Sequence, residues 1–505
     1  MKSIILKLFP KNNLDACIAS AAGFFIIYMY TRHSGIGVSP DSVVYSSVAK
    51  NIHDHGLIND FYGRPMVVFP AFYPLFLSGF IAITGLDPAA FAPLLNAFLF
   101  ALIIYTCGLI MEYFQYKSKW YKYIILSCIV LSPCLLEVYS MLWSETLFIL
   151  LLLLFIIALR NYFTSYSLKS LMLVSCIAAL ACVTRYAGVT LICTGSLLLL
   201  FDKKLLLQNK IYQLFIFTSI SCSLFVINLM RNSLAEGTFT GMREKSLSSL
   251  STNILYCGTV FCDWLPLPKN HAVISVCMAL IFIIGAIVLF WRSLKNIYYY
   301  THENIAVTFF IVYLLFIILS ATFSRYELIN SRLLSPLFIP MLWASTSWLI
   351  PFAKKFWLKK RAWSTVIIAL LFLFFQRNQY KADYENYDGI KYAGIPGYTE
   401  DSWQKDSEIV NFLKQNKTLF KKGYAIYSNS DDALYFFTGL RCDMLPHLVF
   451  HDEISNFYAE SNCYVVWFED IDNPELLDMN DVLTHKTMVL LHKFSNGSIY
   501  VTITR

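Results

Sequence analysis

The feature that most constrains the fold is a series of apolar segments, each about as long as a helix that crosses a membrane. The first runs from about Leu14 to Tyr30. No convincing signal-peptide cleavage site follows it, so it predicts an uncleaved helix. Further segments lie at about 92–113, 122–136, 145–160, 170–183, 186–201, 211–229, 273–291, 304–320, 332–352 and 362–376. Together they predict an α-helical polytopic membrane protein with about eleven spans.

Composition and charge agree with a membrane protein and orient its loops. Of the 505 residues, 57% are hydrophobic and only 14% are charged, which excludes a soluble globular protein. The net charge of +7 is explained by basic loops near 117–122, 160–169, 203–210, 292–295 and 354–361, and does not indicate a nucleic-acid partner. By the positive-inside rule these loops and the N-terminus are cytoplasmic, and the region after about residue 378 is outside.

This topology leaves three large segments on the outer face. The first, about 33–91, contains PAFYPLFLSGFIAITG, which Pro70 and Pro74 interrupt; we expect this stretch to lie along the membrane interface. The alternative, an additional span, would invert the charge pattern that follows. The second segment, about 231–271, is polar and rich in serine. The third has β-like runs such as CYVVWFE and SIYVTIT, so we predict a transmembrane domain, 1–378, and a soluble α/β domain, 379–505.

One candidate for a reactive group is Asp41, directly after the first span. Ser39 can cap a helix that has Pro40 at its first position, which places Asp41 in the first turn. Tyr45 and Ala49 then share the helix face of Asp41. A carboxylate at a helix N-terminus is held ionised by the helix dipole, which suits a base that activates an acceptor. The alternative is an ordinary first-turn acid.

Further polar side chains collect at the same outer boundary. They are His53, Asp54, His55, Asp60, Arg64, Glu137, Glu145, Arg185, Arg231, Arg243, Lys245, Arg325, Glu327 and Arg332. Arginines that hold an anionic phosphate and a carboxylate that accepts a proton are what a reaction between a lipid-linked phosphate and an external acceptor needs. Individually, Glu145 can be a helix N-terminal acid capped by Ser144, and Arg185 can extend to the interface.

The sequence shows no pattern that requires a metal or other cofactor. His53 and His55 flank Asp54, but side chains two positions apart diverge on a helix. The thirteen cysteines include no CxxC pair, and most lie in apolar segments as small core residues. Cys442 and Cys463 lie in the polar C-terminal part and could form a disulfide. A divalent metal is an open alternative without support.

Several segments resemble the GT-C membrane glycosyltransferases, in particular the branch with the protein O-mannosyltransferases and the bacterial aminoarabinose transferase. PDSVVYSSVAKNI followed by FPAFYPLFLSGFIAITG is similar to the first external loop of that family. WSETLFILLLLL, ACVTRYAGVTLI, INSRLLSPLFIPML and SNSDDALYFFTGLRCDMLP resemble recurring segments of bacterial members. The resemblance implies a catalytic role for Asp41. The family commonly has a second acid beside it, whereas this chain has Ser42, which leaves Glu137 and Glu145 as candidates.

The resemblance also implies a function and a location in a bacterial inner membrane. The expected enzyme transfers a sugar, a hexose or a pentose, from a polyprenyl phosphate to a lipid, glycan or protein acceptor on the outer face, with inversion at the anomeric carbon. The expected donor-phosphate ligands are Arg332, Arg185, Arg243 and Lys245. The expected acceptor loop contributes Tyr45, His53, Asp54, His55, Arg64 and Tyr73. Two alternatives stay open: a transporter or flippase of a lipid-linked sugar, and a glycan polymerase or ligase.

Overall fold

The computed structural model describes residues 13–114, 119–241, 243, 245–268, 271–295, 297–325, 327–345, 361–471 and 473–503. The basic loop residues at 117 and 354–360 and the end of the predicted segment 332–352 lie outside this range. The chain divides into two compact units. The first unit consists of Met1–Tyr30, Val67–Leu75 and Ala92–Gly389, and the second of Thr31–Met66, Phe76–Phe91 and Ile390–Arg505.

The first unit is helical. The α-helices described for it are Leu14–Tyr30, Pro88–Met111, Lys119–Val130, Pro133–Ser140, Glu145–Ser165, Leu168–Thr184, Val189–Leu200, Leu207–Glu236, Leu250–Trp264, Ala272–Leu294, His302–Phe323, Ser331–Leu334 and most of Arg361–Ala393. Short 3₁₀ turns lie at Tyr186–Gly188, Ile297–Tyr300 and Ser335–Leu337. The helix Phe72–Thr84, which begins in this unit, has 13 residues and is too short to cross a membrane. This is the length expected of a helix that lies along the membrane interface.

Among the described residues, five helices are long and apolar enough to cross a membrane. They are Pro88–Met111, Glu145–Ser165, Leu207–Glu236, Ala272–Leu294 and His302–Phe323. A sixth span results if Lys119–Val130 and Pro133–Ser140, which meet at 47°, are counted as one. These helices make the chain a multi-pass membrane protein; the predicted number of about eleven spans and the orientation stay predictions.

Two helices differ from the sequence prediction. The predicted segment 122–136 is broken, because Pro133 has no amide hydrogen and begins a new helix that the Ser132 hydroxyl caps by accepting from Leu135 N. The segment 231–271, predicted to be a polar external loop, instead contains the helix Leu250–Trp264. The buried side chains of Cys257 and Phe261 give that helix an apolar face that the preceding serines obscure.

Close helix packing builds the core of the first unit. Leu168–Thr184 lies against both Glu145–Ser165 and Leu207–Glu236, and Leu250–Trp264 lies against Ala272–Leu294. In the second pair, a Cβ atom at Gly258 would be 1.8 Å from the carbonyl oxygen of Ser275. Only glycine permits so close an approach of the two backbones.

The second unit contains a mixed five-stranded sheet. Its strands are β1 (Ala425–Ser428), β2 (Asp443–Met444), β3 (Cys463–Phe468), β4 (Met488–Phe494) and β5 (Gly497–Thr502), in the order β2-β1-β3-β5-β4. β1 pairs in parallel with β2 and β3, with Ile426 opposite Tyr464, whereas β5 pairs antiparallel with β3 and β4. The helices described in this unit are Pro40–His55, most of Phe72–Thr84, Asp401–Gln404, Glu408–Gln415, Asp431–Thr438, His451–Ala459 and Met479–His485, with a 3₁₀ turn at Lys417–Leu419.

Alternate residues of β3 contribute to two hydrophobic cores, one on each face of the sheet. Val466 and Phe468 belong to one core, and Cys463 and Val465 to the other. Cys442 packs in the first of these cores. Cys442 and Cys463 are therefore free thiols, and the disulfide considered from the sequence is wrong.

Residues of the predicted first external loop form part of this second unit. Tyr398 N donates to the carbonyl oxygen of Val38 over 2.9 Å, and Thr399 Oγ1 donates to that of Ile36 over 3.0 Å. Gly397 has φ = +123°, and a Cβ there would be 2.5 Å from the oxygen of Val38. The domain boundary predicted after residue 378 falls inside the helix Arg361–Ala393 and stays a prediction.

Candidate active-site residues

In the second unit, Asp41 lies in the first turn of the helix Pro40–His55, as predicted. Ser39 N donates to Ser42 Oγ over 3.1 Å, and the hydroxyls of the two serines are also 3.1 Å apart. Asp41 is half-buried, whereas Ser42 and Tyr45 are buried. Ser42 thus completes the helix cap at the position where a second acid was sought, and it supplies no charge.

The opposite end of this helix is exposed. His53, Asp54 and His55 all lie on the surface, and the helix ends at Gly56, which has φ = +69°. Among the residues that the structure describes, no group of three or more histidine, cysteine or acidic side chains is arranged to hold a metal ion. Because Asp41 lies in the first turn of the helix and His53, Asp54 and His55 lie in its last turn, these three predicted acceptor residues are separated from Asp41 by the length of the helix.

Arg64 lies on a turn that Asn51 supports by donating to the carbonyl oxygens of Asn59 and Asp60. Its guanidinium donates to Asp443 Oδ1 over 2.8 Å, and both side chains are largely exposed. The pair lines an open cleft of about 400 Å³ in the second unit, together with Tyr427. Arg64, predicted for acceptor binding, is thus placed beside the edge strand β2.

A buried acid pair that the sequence prediction did not single out begins the helix Asp431–Thr438, which packs against Pro40–His55. Tyr62 donates to Asp431, and Tyr398 donates to Asp432 over 2.7 Å. Burial and the neighbouring Asp432 charge raise the pKa of Asp431 to about 7, although the Tyr62 hydroxyl opposes this shift. The adjacent acids in SNSDDALYFF were the available signal.

In the first unit, Glu145 is the centre of a buried charge cluster. Its carboxylate is fully buried; Oε2 is 2.6 Å from Arg185 Nη1 and Oε1 is 2.8 Å from Arg332 Nε. The two arginine side chains are only 14% and 13% exposed. We call Glu145, Arg185 and Arg332 the arginine clamp.

Local structure positions each member of the arginine clamp. Glu145 is the first residue of its helix, Arg185 directly follows the last residue of Leu168–Thr184, and Arg332 lies in a short helix that Asn330 caps by accepting from Leu333 N. Arg185 also donates to Ser144 Oγ over 3.0 Å. The Arg332 guanidinium lies 4.1 Å from the centre of the Trp143 ring, in cation–π geometry.

Acidic side chains surround the Arg332 side of the clamp. Glu327 Oε2 is 3.9 Å from Arg332 Nη1, and Glu137 interacts electrostatically with Arg332 and Asp263. Because both oxygens of Glu145 are bound by guanidinium groups, Glu145 is better placed to orient the arginines than to move protons. Asp263 was missed, because its segment was predicted to be a polar loop.

The remaining predicted residues lie elsewhere in the first unit. Arg243 and Lys245 are exposed; Arg243 Nε is 3.4 Å from Thr240 Oγ1, and Lys245 forms a backbone bridge with Ser324. Arg243 is electrostatically coupled to Tyr186, which follows Arg185 in the chain. Tyr73, predicted for the acceptor loop, is buried and is coupled to Glu145 instead.

Comparison with known proteins identifies the fold. No protein-family model matches the sequence, and no curated protein sequence matches it. The solved structure of ArnT from Cupriavidus metallidurans bound to undecaprenyl phosphate is similar over 96% of this chain and 98% of that chain, with 12% identity and a TM-score of 0.56. Its apo state gives a TM-score of 0.57 at 12% identity, over 96% of this chain and 97% of that one. The chain therefore has the fold of ArnT, which confirms the predicted GT-C fold class with its small C-terminal α/β part.

Proposed function

We propose that this chain is a membrane glycosyltransferase that moves a hexose or pentose from a polyprenyl phosphate to a lipid, glycan or protein acceptor on the outer face of a bacterial inner membrane. Two observations support the proposal. The chain shares its fold with ArnT, a protein whose structure was determined with undecaprenyl phosphate bound. It also holds two arginines on one buried carboxylate in its membrane unit.

The arginine clamp is the observation that carries the proposal. Sugar transfer from such a donor leaves a lipid phosphate, whose negative charge increases as the glycosidic bond breaks. Guanidinium groups bind phosphate through paired N–H donors, and they stabilise the developing charge best when they are already oriented. The three residues of the clamp by themselves carry one net positive charge, and the two arginine side chains are only 14% and 13% exposed.

Glu145 has a positioning role in this proposal. Its two oxygens fix the directions of both guanidinium groups, and its charge makes their burial tolerable. Without the carboxylate, two poorly solvated cations would repel each other. Arg243 and Lys245, which are exposed, are left to attract the anionic donor from a distance.

In this proposal, Asp41 is the base that accepts the proton of the acceptor hydroxyl. It sits in the first turn of a helix and is half-exposed, so an acceptor from outside can approach it. The carboxylate takes the proton of an acceptor hydroxyl as the oxygen of that hydroxyl forms a bond to the anomeric carbon. The bond from that carbon to the phosphate oxygen breaks, and the electron pair leaves with the lipid phosphate. A single displacement of this kind inverts the anomeric carbon.

The proposal is tested by incubating membranes that contain the protein with polyprenyl phosphates carrying different radiolabelled sugars. We expect label to enter one of the lipid, glycan or protein fractions, with equivalent release of the lipid phosphate. Movement of labelled lipid across vesicles without turnover would show a flippase instead. A requirement for a lipid diphosphate donor would favour a glycan polymerase or ligase.

A further inference from the structure

A cavity of about 330 Å³, lined by both apolar and polar side chains, lies in the first unit. Its polar side chains include Asp263 at the end of one helix and Asn378, Gln379 and Asn386 on the helix Arg361–Ala393. We call it the amide cavity, after these three amides. Its volume is within the range of small-molecule sites, and its lining offers several hydrogen-bonding groups that converge on one space.

Gln379 gives this cavity an unsatisfied hydrogen-bond acceptor. Gln379 is only 4% exposed. Its Nε2 donates to the carbonyl oxygen of Trp264 over 3.3 Å, whereas its Oε1 is buried and has no protein partner among the described residues. Buried acceptors are normally paired, because leaving one without a donor costs free energy. A hydroxyl group brought in by a ligand would supply that donor.

The wall of the amide cavity is linked to the arginine clamp. Trp264 Nε1 donates to Ser331 Oγ over 2.9 Å, and Cys134 Sγ is 3.5 Å from the carbonyl oxygen of Ser331. Both Trp264 and Cys134 line the cavity, and Ser331 directly precedes Arg332. The cavity wall and Arg332 are thus joined through Ser331, and we take the esterified group of a phosphate held on Arg332 to reach this cavity.

The charges indicate which group the cavity accepts. The lining contributes the Asp263 carboxylate and amides, and no lysine or arginine occurs among the described lining residues. Glu137 adds a second carboxylate that interacts electrostatically with Asp263. Such a site suits hydroxyl groups, which donate to carboxylates and amide oxygens, and it repels a ligand that carries its own carboxylate.

From these observations we infer that the amide cavity binds the sugar of the lipid-phosphate donor and selects a sugar without a carboxylate. The inference rests on the proposed function for its donor, since it takes the phosphate to lie on Arg332. Gln379, Asn378 and Asn386 are then specificity-determining residues. Their hydrogen bonds go to the sugar hydroxyls and not to the phosphate.

Binding measurements on the full-length protein in lipid nanodiscs separate the sugar from the phosphate. The probes are undecaprenyl phosphate and its mannosyl, glucosyl, arabinosyl and galacturonosyl esters. We expect the best ester of an uncharged sugar to bind about tenfold more tightly than the bare lipid phosphate, as one or two added hydrogen bonds would give. We expect the galacturonosyl ester to lack this advantage.

Variants locate the effect. Gln379→Leu and Asn386→Ala should each reduce the advantage of the ester with an uncharged sugar severalfold while leaving the affinity for bare undecaprenyl phosphate unchanged. Asn386 is exposed, so its truncation is compatible with folding even where Gln379→Leu is not. Glu385→Gln is the matched control, because Glu385 neighbours Asn386 but lies outside the cavity lining, and should change neither affinity.

The outcomes distinguish this inference from the proposed function. Equal affinity for bare and glycosylated lipid in the wild type, or a preference for the galacturonosyl ester, overturns the cavity assignment but leaves the lipid-phosphate site intact. Variants that weaken the bare lipid as much as the ester also overturn it. If wild-type protein bound no undecaprenyl phosphate at all, the proposed function itself would fail.

Discussion

The two units present their acids in contrasting ways. In the first unit, Glu145 is fully buried and both of its oxygens are bound by guanidinium groups. In the second unit, Asp41 is half-exposed in the first turn of a helix. A carboxylate clamped between two cations contributes geometry, whereas one at the surface can exchange a proton with solvent or an acceptor. Burial and charge pairing thus separate a positioning acid from a reactive one.

The largest effect is expected at the reactive acid. Asp41→Asn should lower the rate of sugar transfer by about 10²–10⁴-fold, because it removes the proton acceptor while keeping the shape of the side chain. Donor affinity and thermal stability should stay near wild type. Labelled-sugar transfer measures the rate, binding of the labelled donor measures the affinity, and melting curves measure the thermal stability. Asp452→Asn, at an exposed position of the same unit, is the control and should transfer normally.

Glu145 should behave in the opposite way, as a structural group. Glu145→Leu leaves two largely buried guanidinium groups without their carboxylate and should lower the free energy of unfolding by about 3–5 kcal/mol. Thermal unfolding in detergent measures this loss. Glu327→Gln, which removes a half-exposed acid 3.9 Å from Arg332, should cost less than about 1 kcal/mol.

The contrast between the two acids would break if Glu145→Gln kept wild-type stability but strongly lowered transfer, with a displaced pH–rate profile for the residual activity. Glu145 would then be a reactive acid. If Asp41→Asn also transferred sugar at the wild-type rate, the two roles would be reversed.

A smaller effect concerns the buried acid of the second unit. Asp431 has a pKa near 7 in the folded chain against 3.8 as its ordinary value, so the folded state binds the proton more tightly than the unfolded state. This preference stabilises the folded state at low pH by about 4 kcal/mol at most. The stabilisation is lost as the pH rises through 7. Hydrogen exchange of the helix Asp431–Thr438, corrected for intrinsic rates, should show lower protection at pH 8 than at pH 5.

Substitution isolates that dependence. Asp431→Asn should reduce the difference in protection between pH 5 and pH 8. Asp452→Asn, at an exposed position on the helix His451–Ala459, should retain it. An unchanged pH dependence in Asp431→Asn would assign the effect to another group, with Asp432 as the first candidate, since burial raises its pKa as well.

The smallest effect is expected at the exposed ion pair of Arg64 and Asp443. Arg64→Ala should lower the stability of the second unit by less than about 1 kcal/mol, because water competes for both charges. Melting curves at low and high salt measure it. A loss above about 2 kcal/mol, insensitive to salt, would show that the pair behaves like a buried one.

Much of the fold was predictable because its signal is local. Apolar length marks a membrane helix, and Ser39-Pro40 marks the helix start before Asp41, so both were found from single segments. The helix Leu250–Trp264 was missed because only one of its faces is apolar and a serine-rich stretch precedes it. The break at Ser132 was missed because Pro133 was included in a continuous apolar run.

The sequence named several of the residues discussed above but not their arrangement. Arg332 and Glu145 are 187 positions apart, and nothing in either segment specifies that they form an ion pair. The same holds for Tyr62 and Asp431. Gln379 was predicted to begin the soluble domain, 379–505, and not to lie on a helix. Long-range contacts depend on how helices pack, which local patterns do not encode.

The central claim is that the arginine clamp holds the phosphate of a sugar donor. The most direct measurement follows purified wild-type and Arg332→Gln proteins with undecaprenyl phosphate carrying a labelled sugar. We predict that the wild type releases one undecaprenyl phosphate for each sugar transferred, and that Arg332→Gln loses both donor affinity and transfer. Wild-type donor affinity and transfer in Arg332→Gln would contradict it.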